Sequence, residues 1–332
     1  MQLTGKSTLL ALGAIILMSG CAQKVRVKAL RPAEVSRAAL TKKVAVTSFQ
    51  NDKPNISGKI EANLAKHKLD GKQYFTIVSR QDLNKVLSEQ KIGTSGLIDP
   101  TTATEVGKLI GAQAIISGRT GNASSSDTNF YETRTKCNKN GCWEVRVRCT
   151  KRVAGLDAEI RMIDTQKGDI IYADTINRTK GWKHCNDDSR SLPSTMMASQ
   201  QLASVIAQDF SYKLVPHYVY YNVTLLEKPD LEYTEKQELL LKSSLAFIKA
   251  NRYDRAGKLL KKLINSTGEK SYVPLYNLGV ITEAKGDYEG AKNLYTKADK
   301  LTVEPVEEIN IAINHIDRVI KENKQALKQL KK

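Results

Sequence analysis

Residues 75–118 read FTIVSRQDLNKVLSEQKIGTSGLIDPTTATEVGKLIGAQAIISG, and this stretch decides the fold class. Phe75-Thr76-Ile77-Val78 is a short apolar run with strand character. From Arg80 to Gln90 the spacing predicts a helix, with Leu83, Val86 and Leu87 on one stripe. Asp99-Pro100 has the form of a helix start, Asp99 as N-cap and Pro100 in the first turn. That helix runs to about Ile110 and stops at Gly111, and Ala114-Ile115-Ile116-Ser117-Gly118 is the next strand. Working outward, Val44–Phe49 reads as a buried strand and Ile56–His67 as a helix through Ile60 and Leu64. Two hairpins follow Gly118. A helix from about Ser194 to Tyr212 carries Met197, Leu202, Val205, Ile206 and Phe210, and Pro216 lies beyond its end. The remainder is helical. The expected class is α+β: an α/β domain with a mixed sheet, then an all-α module.

Both hairpins carry cysteines. Cys137 and Cys142 flank Asn138-Lys139-Asn140-Gly141, a turn-forming string whose Asn140-Gly141 places the two cysteines opposite each other. In the second hairpin, Ala154–Ile163 and Asp169–Ile176 are joined by Asp164–Gly168. With Ile163 opposite Ile170, position sums stay near 333, and Cys149 then faces His184 or Cys185, within one residue of a direct pair. Cys137–Cys142 and Cys149–Cys185 disulfides are therefore expected, against a four-thiolate metal site or one using His184. The spacing is not the usual paired Cys-x-x-Cys of zinc sites. A catalytic pair of His184 with Cys185 is disfavoured, because neighbouring strand residues point to opposite faces.

The amino terminus sets the compartment. Lys6, an apolar run from Leu9 to Met18 and then Ser19-Gly20-Cys21 have the layout of a secretory signal peptide, too short to remain as a spanning helix. Ser19-Gly20-Cys21 resembles the bacterial lipobox, with Met18 where leucine is commoner. The resemblance implies cleavage before Cys21, acylation of Cys21 (palmitate among its chains) and, with Ala22 rather than Asp following, sorting to the outer membrane. An oxidising periplasm suits paired thiols.

Val44–Phe49 together with residues 75–118, including Arg80, Glu89-Gln90, Asp99, Gly107 and Leu109–Ala112, resembles the curli-assembly (CsgG-like) lipoprotein domain. The resemblance implies a compact periplasmic α/β domain in which Gly107 and Gly111 permit close backbone approach. Residues 272–305, YVPLYNLGVITEAKGDYEGAKNLYTKADKLTVEP, resemble a tetratricopeptide repeat through Leu275, Leu278-Gly279, Gly286-Asp287-Tyr288, Ala291, Tyr295 and Ala298. A weaker copy with Phe247, Tyr253 and Ala256 precedes it, and residues 304–330 would cap the stack, with Ile309, Ile313 and Ile316 on one stripe. The expected organisation is a signal peptide (1–20), a lipid-anchored linker (21–42), a CsgG-like domain (43–226) and a tetratricopeptide-like module (232–332).

With 52 Lys+Arg against 35 Asp+Glu the chain carries a net charge of +17, of which residues 21–230 hold +11 and residues 231–332 hold +5. For an exported lipoprotein the available anions are peptidoglycan, lipopolysaccharide or an acidic protein, not nucleic acid. Five cysteines and four histidines leave little material for metal or nucleophile chemistry. No carboxylate pair or nucleophile–base set stands out, so neither a catalytic residue, a metal nor a cofactor is expected. These observations predict a non-enzymatic accessory or assembly lipoprotein of the outer membrane that recruits a protein through its repeats, with Asn277 and Lys285 as polar contacts. A homo-oligomer is compatible with this reading. The alternative is a subunit of a curli-type secretion pore. Against it, Glu144, Arg146 and Arg148 share one strand face, where a membrane strand needs an apolar one.

Overall fold

The computed structural model describes residues 22–90 and 96–330. The expected signal peptide and Cys21, the expected acylation site, lie outside the described residues. In chain order the elements are β1 (Lys24–Arg31), α1 (Ser36–Leu40), β2 (Lys43–Val46), α2 (Ile56–Lys66), β3 (Lys68–Leu69), β4 (Lys72–Gln73), β5 (Thr76–Ile77), α3 (Arg80–Glu89) and α4 (Pro100–Ile110). Then come β6 (Ala114–Thr120), β7 (Ser124–Asn138), β8 (Gly141–Asp164), β9 (Asp169–Cys185), α5 (Thr195–Lys213) and β10 (His217–Thr224). The chain ends in α6 (Glu235–Lys249), α7 (Tyr253–Ser266), α8 (Tyr272–Ala284), α9 (Tyr288–Asp299) and α10 (Glu307–Leu330). The class is α+β, as expected. Two compact units form: one from residues 29–219 with 321–330, the other from residues 22–28 with 220–320.

The first unit is a three-layer sandwich. Its sheet runs β5-β2-β6-β8, with β2 parallel to both β5 and β6, and β6 antiparallel to β8. One face packs Val44, Val46 and Ile116 against Ile56, Ile60 and Leu64 of α2 and Leu202, Ile206 and Phe210 of α5. The other packs Ala45, Ile115 and Ile163 against Leu83 and Leu87 of α3 and Ala103 and Val106 of α4. Helix boundaries follow local chemistry. The Asp99 carboxylate accepts from Thr102 N at 3.0 Å, and Gly111 closes α4 in the left-handed region (φ 64°). Ser194 caps α5, accepting from Met197 N at 3.2 Å.

Strand β8 is 24 residues long and joins the two expected hairpins into one ribbon. β6 and then β7 pair along one edge of it, and β9 along the other. The tip loop is tighter than expected: Asn138 pairs with Gly141, leaving only Lys139 and Asn140 between the strands, and Cys137 faces Cys142. In the second hairpin Ile163 does face Ile170, but an irregularity between Met162 and Ile163 raises the position sum by one. That single step puts Cys149 opposite Cys185 rather than His184.

The second correction concerns residues 21–42, which are not a linker from Lys24 onward. Basic residues alternating with Val25, Val27 and Ala29 form β1, and Ser36–Leu40 form α1. Lys24, Arg26 and Lys28 made the segment read as polar, but a strand with one solvated face has that composition. The end of the chain also departs from the expected division. Ala326 is buried in the sandwich core, and the Gln329 side chain exchanges hydrogen bonds with Ala33 at 2.8 and 3.4 Å, so the last turns of α10 belong to the α/β unit.

The helical unit consists of two helical hairpins, α6–α7 and α8–α9, followed by the first part of α10 and faced by a two-stranded ribbon of β1 and β10. Gly279 on α8 lets Tyr295 of α9 approach so closely that a Cβ there would sit 2.6 Å from the ring. Gly279→Ala should therefore destabilise this unit by about 1–3 kcal/mol, read as a lower urea midpoint. Gly257→Ala is the control. Its added carbon meets Ile281 and Leu278 at ordinary contact distances of 3.4 and 3.7 Å, so its midpoint should not fall.

Candidate functional site

Helices α7, α8 and α9 enclose a groove of about 660 Å³ in the helical unit. Leu278, Ile281 and Leu294 supply its apolar lining, and Tyr253 stands at its edge. Lys258, Lys261 and Lys285 supply positive charge, Asp254 and Asp287 negative. The two carboxylates are committed. Asp287 accepts from Gly290 N at 2.9 Å as the cap of α9. Lys285 hydrogen-bonds Asp254 and, with Lys258 nearby, holds that carboxyl below its ordinary range. Lys258 and Lys261 form no salt bridge among the described residues, so the groove is basic on balance.

The two residues expected to contact a partner behave differently. Lys285 is exposed on the groove rim. Asn277 is fully buried and occupied: its Oδ1 accepts from Leu226 N at 3.0 Å and its Nδ2 donates to Leu226 O at 2.7 Å. An amide so engaged clamps the chain after β10 and presents nothing to a partner. The helical repeat pattern marked Asn277 as polar, without showing that a backbone segment would cover it.

Sequence reading missed the group behind the groove. Glu283 is fully buried on α8. Its Oε1 accepts from the Tyr221 hydroxyl at 2.6 Å and from His315 Nε2 at 2.7 Å, and its Oε2 from the Tyr295 hydroxyl at 2.5 Å. Three donors from β10, α9 and α10 converge on one carboxylate, which satisfies a charge that would otherwise be costly to bury. The signal was present as a lone acid in the mostly apolar run Tyr272–Ala284. Asp230, between the two expected domains, is also held: it accepts from Ser271 Oγ, from Tyr272 N at 2.7 Å and from Tyr233 Oη at 3.2 Å.

In the α/β unit the four cysteines form two bridges, Cys137–Cys142 at the tip of the β7–β8 hairpin and Cys149–Cys185 between β8 and the end of β9. Glu132 lies beside the second pair, but those sulfurs are bonded to each other and leave a single carboxylate as a ligand. Facing residues alternate strictly along this arm. Val145, Val147, Cys149, Cys185 and Phe130 form a small apolar cluster on one face, beside which Arg134 binds Asp187 and Asp188 at 2.6 and 3.0 Å. Glu144, Arg146 and Arg148 occupy the other face, where the Arg146 guanidinium lies 5.1 Å from the Tyr131 ring centroid.

Comparison with known proteins agrees with this architecture. Residues 21–185 match the family described as curli production assembly/transport component CsgG. Residues 21–185 are thus similar to that family's domain over just under half of the chain. No curated protein matches the chain. Solved structures similar to it include the LpoB C-terminal domain from Salmonella enterica, at 15% identity, covering 43% of this chain and 91% of that one with a TM-score of 0.22. A PelC dodecamer from Paraburkholderia phytofirmans gives 19%, 58%, 97% and 0.24 for the same quantities. Lipoprotein GNA1162 from Neisseria meningitidis gives 11%, 51%, 98% and 0.25. At these TM-scores the likeness carries no functional weight. No helix among the described residues is long and apolar enough to cross a membrane.

Burial pushes the Tyr276 hydroxyl far above the ordinary phenol range, and burial together with Glu283 does the same to Tyr295. Below the ordinary phenol value of about 10 both states keep these protons, and the stability they lend is complete. Above it the unfolded chain releases protons that the folded chain retains, so stability falls by up to about 1.4 kcal/mol per pH unit per tyrosine. Urea midpoints measured from neutral to strongly alkaline pH should show this fall in the helical unit, and Tyr295→Phe should make it shallower.

Proposed function

We propose that the protein is an outer-membrane lipoprotein, acylated at Cys21, that acts without catalysis as an accessory or assembly factor for envelope or surface structures and recruits a protein partner through the α7–α9 groove. The observation that carries this reading is the groove: concave, lined by apolar side chains, and basic because its three lysines outnumber its two carboxylates. Such a surface suits a segment combining aliphatic and acidic side chains. Lys285, Lys258 and Lys261 are its polar contacts. Asn277 has no part in it.

The alternative, a curli-type pore subunit, draws on the transport role in the family description. It needs a hairpin with an apolar face turned to lipid. On the β7–β8 arm the apolar cluster is small and bordered by the Arg134 ion pairs, and the opposite face carries arginines. This arrangement favours the accessory reading.

The test is site-specific photo-crosslinking in the full chain. A crosslinker at Lys258 or Lys261 should trap one discrete partner, and one at the exposed Lys297 should not. Lys258→Glu with Lys261→Glu should reduce recovery of that partner at least about tenfold, consistent with the loss of two complementary charges at a contact. Equal trapping at all three positions would refute recruitment by the groove. A large ring by light scattering, together with conductance in planar bilayers, would establish the pore instead.

A further inference from the structure

The ribbon of the helical unit has a face that the groove does not use. On β1, Val25 and Val27 are buried while Lys24, Arg26 and Lys28 are exposed. On β10, Val223 is buried and Tyr221 turns inward to Glu283, so Tyr220 and Asn222 point outward. The Arg26 guanidinium lies 4.3 Å from the Tyr220 ring centroid, which places both on the same outer face. Lys24 and Arg26 form no ion pair among the described residues.

Chain length ties this face to the anchor. Only Ala22 and Gln23 separate Cys21 from Lys24, a span of roughly 10 Å at full extension. Gln23 is itself fixed, its N donating to Glu227 Oε1 at 2.5 Å and its Nε2 to Leu245 O at 3.1 Å. An acyl chain on Cys21 therefore holds the start of β1 within about one Debye length of the bilayer surface, where fixed charges are little screened. We infer that the outer face of the β1–β10 ribbon is a docking surface for anionic phospholipid headgroups. Arg26 offers its fork to phosphate, Lys24 adds a point charge, and Tyr220 has the amphipathic ring favoured at membrane interfaces. The inference rests on the proposed acylation of Cys21, since the short tether selects lipid over a protein as the occupant.

Two measurements separate the surface from the anchor. Mass spectrometry of the membrane-extracted protein reads acylation at Cys21. Independently, the full chain with Cys21→Ala is sedimented with vesicles of phosphatidylcholine alone or of equimolar phosphatidylcholine and phosphatidylglycerol. It should bind only the anionic vesicles, less as salt rises. Lys24→Glu with Arg26→Glu should cut that binding at least about tenfold. Lys297→Glu with Lys300→Glu, an equal change of net charge, should alter it less than about twofold. In the acylated protein a Tyr220→Trp reporter should be quenched by brominated lipid. Binding indifferent to vesicle charge, equal losses in the two double variants, or an unquenched reporter would overturn the surface even with Cys21 acylated, and would point to a protein on that face. An unmodified Cys21 with ribbon-dependent binding intact would overturn the anchor alone.

Discussion

The α/β unit depends on one strand being hydrogen-bonded along both edges. From Ala158 to Asp164, β8 completes the sandwich sheet between β6 and β9, and from Gly141 to Gly155 it carries β7 out of the sandwich. Its parity changes in between. Ala154, Leu156, Ala158, Ile160 and Met162 are the buried residues where α2 and α5 cover the sheet, whereas Val147 and Cys149 are the buried ones further out. With pleat and register continuous over that span, the two apolar sets must lie on opposite faces. The sandwich core and the arm cluster are therefore separate, and the Cys149–Cys185 bridge marks the boundary where β9 ends.

Most of this was legible because it depends on short-range rules. Apolar periodicity located α2, α3, α4 and α5 within a residue or two, Asp99 and Gly111 marked the ends of α4, and Gly279 stood at a small-residue position of the repeat pattern. What escaped depends on partners distant in the chain. The irregularity at Met162 and Ile163 moved the ladder by one position, which no composition reports. β1 was hidden because its partner, β10, lies almost two hundred residues on. Asn277 and Glu283 are both polar residues in an apolar helix, yet the difference between a surface contact and a buried clamp lies in Leu226, Tyr221 and His315.

The helical unit shows how two helical hairpins can form a compact core. Two helical hairpins expose apolar edges that a longer solenoid would bury against the next repeat. Here α10 covers one such edge with Ile309, Ala312 and Ile316, and the β1–β10 ribbon adds Val25, Val27 and Val223 to the same core. The Glu283 hydrogen bonds join these covers to the repeat. Each donor comes from a different element, so the carboxylate fixes how the cap and the ribbon seat on α8. The groove is left open because the covering elements lie elsewhere in the unit's core.

The parity of the β7–β8 arm also restricts how its length can vary among related chains. Adding one residue to each strand between the Tyr131–Arg148 and Glu132–Val147 pairs would rotate the whole tip by half a pleat. Val145 and Val147 would then share a face with Tyr131, and Arg146 would enter the cluster with Phe130. Only changes of two residues per strand keep both faces, so viable length variants of the arm should be spaced by four residues, whatever becomes of the sequence in between.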